Sequence, residues 1–375
     1  MNPLKQLEAC GQAPWLDYMK TSLISSGELR TMIERDGLKG ITSNPSIFEK
    51  AIAESDEYTE PLKKFQSTGD HSVKDIYEHL AVSDIKAAAD ALKPVFEGTK
   101  GRDGYISLEC SPYLANDTEA TVIEALHLWE MVGRPNLMVK VPGTAAGVPA
   151  IRRLLGKGLN INVTLLFSVA VYEQVVEAYI SGLEDLLKAG GDVSKSASVA
   201  SFFVSRIDAA VDKKLKTLAD KGAAAQLQGK VAIANAKVAY ERYKVLFSGP
   251  RWEKLVKAGA KTQRLLWAST STKDPSYKDT MYVEALIGRD TVDTIPPATM
   301  DAFRDHGVVK ADAVEQDLAG AKAIMAGLEK QGISLKEITD ELVKEGVKSF
   351  ADAFDKLLGV VGERRKALLE SVKAG

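Results

Sequence analysis

Short apolar runs alternate with longer amphipathic stretches along most of the chain, the pattern of parallel strands joined by crossover helices. Strand candidates are Ala13 to Met19, Leu38 to Thr42, Tyr105 to Cys110, the run from Leu137 that Pro142-Gly143 closes, Leu159 to Phe167, Ala197 to Val204, Arg264 to Ser269 and Thr291 to Ile295. A helical pattern follows the first strand through Arg35, and the turn Ser43-Asn44-Pro45 can start another helix. Ser72 with Asp75 predicts a capping box that opens a helix through Glu97, with Val82, Ile85, Ala89 and Leu92 along one side. Asp117 or Thr118 starts a helix to Val132, Ser168 caps one to Lys188, and a long helical region after Arg206 breaks near Ser248-Gly249-Pro250. From about Val308 only helical periodicity remains. Val314, Leu318, Ile324, Met325 and Leu328 form one stripe, and Ser334 with Glu337 opens a second helix carrying Leu342, Val347, Phe350, Phe354 and Leu357. Strands alternating with helices in this way predict an α/β chain folded as a closed (β/α)8 TIM barrel, with the polar strand ends gathered at one mouth. The expectation is one domain over residues 1–375, whose C-terminal helical extension, about 308–375, wraps the barrel.

One position breaks the apolar pattern in a way that asks for chemistry. In Leu137 to Thr144, LMVKVPGT, period-2 alternation puts Met138 and Lys140 on one face and Leu137, Val139 and Val141 on the other. An amine near the end of a buried strand either finds a carboxylate or gives up its proton, and a neutral amine is the nucleophile that Schiff-base chemistry uses. Other polar residues recur near strand ends: Asp17, Glu109, and Asn160, Asn162 and Thr164 on one face of the fifth run. Taken singly, each has a plainer reading. Glu109 can pair with Lys140 as a buried ion pair, Asp17 can cap a helix, and Asn162 and Thr164 can satisfy each other. Arg206 and Lys273 can be solvated surface cations, and Trp15, Phe202, Phe203 and Cys110 can be packing.

Composition narrows the classes. A formal net charge of −2 over 375 residues gives no electrostatic footprint for nucleic acid or an anionic membrane. The two cysteines and four histidines are scattered without ligand spacing, so no metal or other cofactor is expected. No apolar run is long enough to span a bilayer and the first residues lack a signal-peptide pattern, which predicts a cytoplasmic protein.

Five segments in order, ITSNPSIFEKAI, ISLECSP, LMVKVPGT, INVTLLFS and SFFVSRID, resemble the transaldolases, and the likeness runs from Asp17 to about Pro297. Chain length and LLWASTSTKDPSYKD look like the longer bacterial branch of that Schiff-base family. The resemblance implies a barrel that moves a dihydroxyacetone unit between sugar phosphates in the pentose phosphate pathway. The donor is fructose 6-phosphate or sedoheptulose 7-phosphate, and the acceptor is erythrose 4-phosphate or glyceraldehyde 3-phosphate. It implies Lys140 as the Schiff-base lysine, Asp17 as the base for the hydroxyl proton, and Glu109 with Thr164 on the water lost from the carbinolamine. Asn44 and Asn162 would hold hydroxyls of the bound three-carbon unit, with Thr42 beside them. Ser201 and Arg206 resemble phosphate-binding positions, and Ser269 joins them after the seventh strand. Many family members place an arginine there; this chain reads Ser269-Thr270-Ser271, and Lys273 is the substitute cation.

Two other readings stay open at this stage. One is a related aldolase that releases free dihydroxyacetone, although those enzymes carry glutamine and tyrosine where this chain has Glu109 and Phe203. The other is a barrel that binds sugar phosphates without turning them over. The expected partners are small sugar phosphates, not nucleic acid or membrane, with the chain a monomer or homodimer; the C-terminal helices as a surface for a further partner stay open as well.

Overall fold

The computed structural model describes residues 2–218 and 220–374. Eight parallel strands close into a barrel in sequence order: β1 Gln12–Asp17, β2 Gly40–Thr42, β3 Tyr105–Glu109, β4 Leu137–Pro142, β5 Ile161–Leu166, β6 Ser198–Phe203, β7 Arg264–Ala268 and β8 Thr291–Ile295. Helices join them, which is the (β/α)8 TIM barrel that the alternation predicts.

Several strands stop inside their apolar runs, because residues beyond the ladder still bury against the helices. Leu159 is buried yet lies before β5, and Asn160 forms a clasp at the foot of that strand. Its amide donates to the carbonyls of Pro135 and Leu137 while its side-chain oxygen accepts from Ala197 N–H. Asn160 therefore ties three strand feet together. The helical pattern through Arg35 is two helices, Thr21–Ser25 and Glu28–Asp36, because Gly27 between them takes a left-handed φ of 81° that interrupts the helix. The long region after Arg206 likewise divides, into Ser205–Leu215, Lys221–Leu227, Val231–Leu246 and Pro250–Lys257.

Local chemistry sets the helix starts around the mouth. Asn44 accepts from Ile47 N–H with Pro45 at the first helical position, opening Pro45–Glu54 directly after β2. Ser72 and Asp75 form the reciprocal capping box of Val73–Gly98, and Asp117 and Ser168 cap Thr118–Val132 and Val169–Lys188.

Register fixes which polar side chains become neighbours. Asp17 stands beside Thr42, while Glu109, Lys140 and Asn162 stand level on three successive strands. Trp15, two residues before Asp17 and so on the same face, fills the barrel below it. Gly40 makes that possible, since a Cβ there would come 2.5 Å from the indole. The pairing of β5 with β6 slips between Val163 and Leu166, where Leu165 adopts a left-handed φ of 59°.

After Leu318–Lys330 the chain ends in one helix, Leu335–Ala374. Its 40 residues reach about 60 Å at the usual rise per residue. It packs against Pro45–Glu54, Val73–Gly98, Ser205–Leu215 and β5, so it crosses the mouth of the barrel.

Candidate active site

At the C-terminal ends of the strands lies a cavity of about 170 Å3. Its wall is mostly polar: Asp17, Thr42, Asn44, Lys140, Thr164, Ser201, Arg206, Ser269, Ser271, Lys273 and Thr294. Phe203, Ala268, Pro296 and Phe350 complete it. Nine of the eleven residues singled out in the sequence line this space. The other two, Glu109 and Asn162, stand behind the lining and reach it through Lys140 and Ser201.

Lys140 sits at the floor. Its Nζ donates to Glu109 Oε2 and to the Ser43 carbonyl, both at 3.0 Å, and the side chains of the Lys140–Glu109 pair are each 6% exposed. Burial pushes the Glu109 carboxyl up, and the Lys140 charge and hydrogen bond pull it back. A carboxylate held in that balance is suited to exchange a proton with the amine it touches.

Asp17 faces the same space from β1 and accepts from Thr42 Oγ1 at 2.7 Å; the Thr42 and Thr294 hydroxyls lie 2.6 Å apart. Desolvation raises the Asp17 carboxyl, against the opposing pull of Lys140, Thr42, Arg206 and Lys273. Asp17 is not a helix cap.

The two strand-five residues part company. Asn162 donates to Ser107 Oγ at 3.0 Å and accepts from Ser201 Oγ at 2.6 Å, making a buried chain across three strands. Thr164 lies beyond it, where its buried hydroxyl has no hydrogen-bond partner among the described residues and borders the cavity. An orphan hydroxyl facing open space is satisfied by water or substrate, because leaving it unpaired costs ~1–3 kcal/mol. Ser201, which the resemblance groups with Arg206, donates its proton to Asn162 and so ties the cavity wall to that buried chain.

Two cations, Arg206 and Lys273, line the same cavity near one another. Arg206 makes no ion pair among the described residues; its guanidinium lies 5.4 Å from the ring centroid of Phe203, a buried core residue that also borders the cavity. Burial lowers the Arg206 pKa, and Lys273 is lowered first by burial and then by the Arg206 charge. Two cations on one partly buried wall suit a multiply charged anion. Lys273 Nζ donates to Ser271 Oγ at 2.8 Å, and Ser269 and Ser205 hydroxyls lie 2.8 Å apart. Ser269 holds a left-handed φ of 57°, and Thr270 behind it donates to Asp293 Oδ1 at 3.0 Å.

Sequence reasoning misses Ser43, Thr294, Pro296 and Phe350. Ser43 contributes only a carbonyl, and Thr294 lies 252 residues from the Thr42 it touches. Phe350 reads as one more apolar residue in a helical stripe.

The family model described as Transaldolase/Fructose-6-phosphate aldolase matches residues 14–361. A protein named Transaldolase from Trichodesmium erythraeum is 46% identical over 98% of this chain and 98% of its own. One of the same name from Parafrankia is 46% identical over 96% of this chain and 98% of its own. Transaldolase 2 of Nostoc punctiforme is 45% identical over 98% of each. With the barrel, the buried lysine and likeness over nearly the whole length, the chain belongs to the transaldolase/fructose-6-phosphate aldolase family.

Proposed function

We propose that this protein is a transaldolase that carries a dihydroxyacetone unit on Lys140 from a ketose phosphate to an aldose phosphate. The observation that carries the reading is the buried Lys140 paired with Glu109 on the floor of a polar cavity that the Arg206 and Lys273 cations also line. Sedoheptulose 7-phosphate or fructose 6-phosphate is the donor, and glyceraldehyde 3-phosphate or erythrose 4-phosphate the acceptor.

Glu109 takes the Lys140 proton, and the amine adds to the ketose carbonyl carbon to give a carbinolamine. Glu109 returns a proton to the departing hydroxyl, and the water formed is held beside the Thr164 hydroxyl. The iminium then withdraws electrons from the neighbouring C–C bond while Asp17 removes the hydroxyl proton on the far carbon. The bond breaks, the aldose phosphate leaves, and an enamine stays on Lys140. Asn44 and the Ser201–Asn162 pair hold its hydroxyls, and Arg206 with Lys273, Ser269 and Ser271 hold the phosphate of donor and acceptor in turn. Attack of the enamine carbon on the second aldose, protonation of the new hydroxyl by Asp17 and hydrolysis complete the transfer. Glu109 and the transaldolase names of the relatives favour transfer over release.

The test is turnover of fructose 6-phosphate with and without erythrose 4-phosphate, read as glyceraldehyde 3-phosphate. Fast turnover only with acceptor is the expected result. Equally fast release of dihydroxyacetone without acceptor would make the protein an aldolase, and no turnover in either assay would make it a binding barrel.

A further inference from the structure

The C-terminal helix puts an aromatic ring over the amine. Phe350 lines the cavity with its ring centroid 5.9 Å from Lys140 Nζ, in an otherwise largely polar wall. The approach is built in one helical turn at a time. Leu342, Gly346, Phe350, Phe354, Leu357 and Val361 follow three- and four-residue spacing and share a buried face. Phe354 anchors that face edge-on to Tyr77, with ring centroids 5.4 Å apart. Gly346 lets the helix close on the barrel, since a Cβ there would come 2.8 Å from Leu165 Cδ2, at the slipped register of β5. One turn later Phe350 meets Lys140.

We infer that Phe350 keeps the lysine-bound enamine for transfer by shutting the mouth side of the cavity against solvent, and so sets the ratio of transfer to free dihydroxyacetone release. The inference rests on the Schiff-base reading above. Loss of the three-carbon unit begins when the enamine carbon takes a proton from solvent, its C=C pair becoming the new C–H bond and leaving an iminium. Water then adds to the iminium carbon, the C–N bond breaks with its pair returning to nitrogen, and dihydroxyacetone departs. The water that the proposed mechanism forms beside Glu109 and Thr164 belongs to the inner side and serves normal hydrolysis of the product. On the side that the helix covers, protons arriving from the mouth meet Phe350, and an apolar ring offers them no hydrogen-bonded path. The ring face also stabilises the cationic iminium from which the enamine forms.

The experiment compares wild type, Phe350→Leu, Phe350→Ala and Gly346→Ala in deuterated buffer. It reads transfer rate, free dihydroxyacetone and its deuterium content, with melting temperature as the check on folding. Phe350→Ala is expected to raise the release-to-transfer ratio about tenfold with deuterium in the released product, and Phe350→Leu to remain within about twofold of wild type. Gly346→Ala, which keeps the ring but lifts the helix, should raise the ratio by less; it decides the matter if Phe350→Ala does not fold. An unchanged ratio in folded Phe350→Ala, or equal rises for alanine and leucine, overturns the inference. Borohydride trapping of the three-carbon adduct on Lys140 is run beside each protein. An unchanged ratio with normal trapping removes the role of Phe350 alone, whereas no adduct in wild type removes the underlying reading with it.

Discussion

Asp293 lies fully buried on β8, where its Oδ1 accepts from Thr270 and its Oδ2 has no partner among the described residues. Burial pushes its carboxyl up to about 8, opposed by the Thr270 hydrogen bond. Folding at neutral pH therefore requires this group to take up a proton that the unfolded chain, with the ordinary carboxylate value of 3.8, does not hold. A raised carboxyl gives its full contribution to stability below about pH 4, loses it progressively as pH rises toward 8, and is level above that. The slope in that window is about 1.4 kcal/mol per pH unit, or about 3 kcal/mol between pH 5 and 7. Asp293→Asn removes the titration while keeping an acceptor for Thr270, and its amide inherits the same partnerless position as the neutral acid. Guanidinium unfolding at pH 5, 6 and 7 should show the variant gaining on wild type by about 3 kcal/mol across the range. Transfer activity should be retained, because Thr270 still holds the loop carrying Ser269 and Ser271. Parallel pH dependence of the two proteins would refute the buried neutral acid.

Glu109→Gln removes the acceptor of the Lys140 proton without changing shape, so kcat should fall by about 10² to 10³ while KM for the donor changes little; a fall in KM-limited binding alone would contradict proton exchange. Lys273→Met should raise KM for phosphorylated substrates about tenfold or more and leave turnover of unphosphorylated dihydroxyacetone donors unaltered, and equal losses on both would place Lys273 elsewhere than at the phosphate. Asp17→Asn keeps a side chain that accepts from Thr42 but cannot take a proton, so it should still form the adduct with donor while cleaving it at least 10²-fold more slowly; normal cleavage would pass the base role to another group.

What could be read in the sequence was whatever depends on near neighbours. Alternation around Lys140 gives its inward face, β8 runs from Thr291 to Ile295 as its apolar pattern predicts, and Ser72–Asp75 and Asn44–Pro45 announce helix starts from their own residues. Barrel closure supplies the rest. The Ser43 carbonyl on Lys140, the Thr42–Thr294 contact and the Ser107–Asn162–Ser201 chain join residues far apart in sequence, and no spacing rule foretells them. Phe350 reaches the site only because Gly346 and the slipped register at Leu165 let its helix close on the mouth. The break at Gly27 escaped the periodicity because the helices on either side continue the same apolar pattern. The resemblance implies Glu109 at the water lost from the carbinolamine and Asn162 on the hydroxyls of the bound unit. Register places both level with Lys140, and they connect to the cavity through Lys140 and Ser201.

In the proposed mechanism Lys140 holds a three-carbon enamine. Incubation with fructose 6-phosphate in the absence of acceptor, followed by borohydride reduction and peptide mapping by mass spectrometry, tests it most directly. A reduced dihydroxyacetone adduct on Lys140, absent from Lys140→Ala, is the predicted result. Fructose 6-phosphate that binds and leaves no adduct, or an adduct on another lysine, would contradict it.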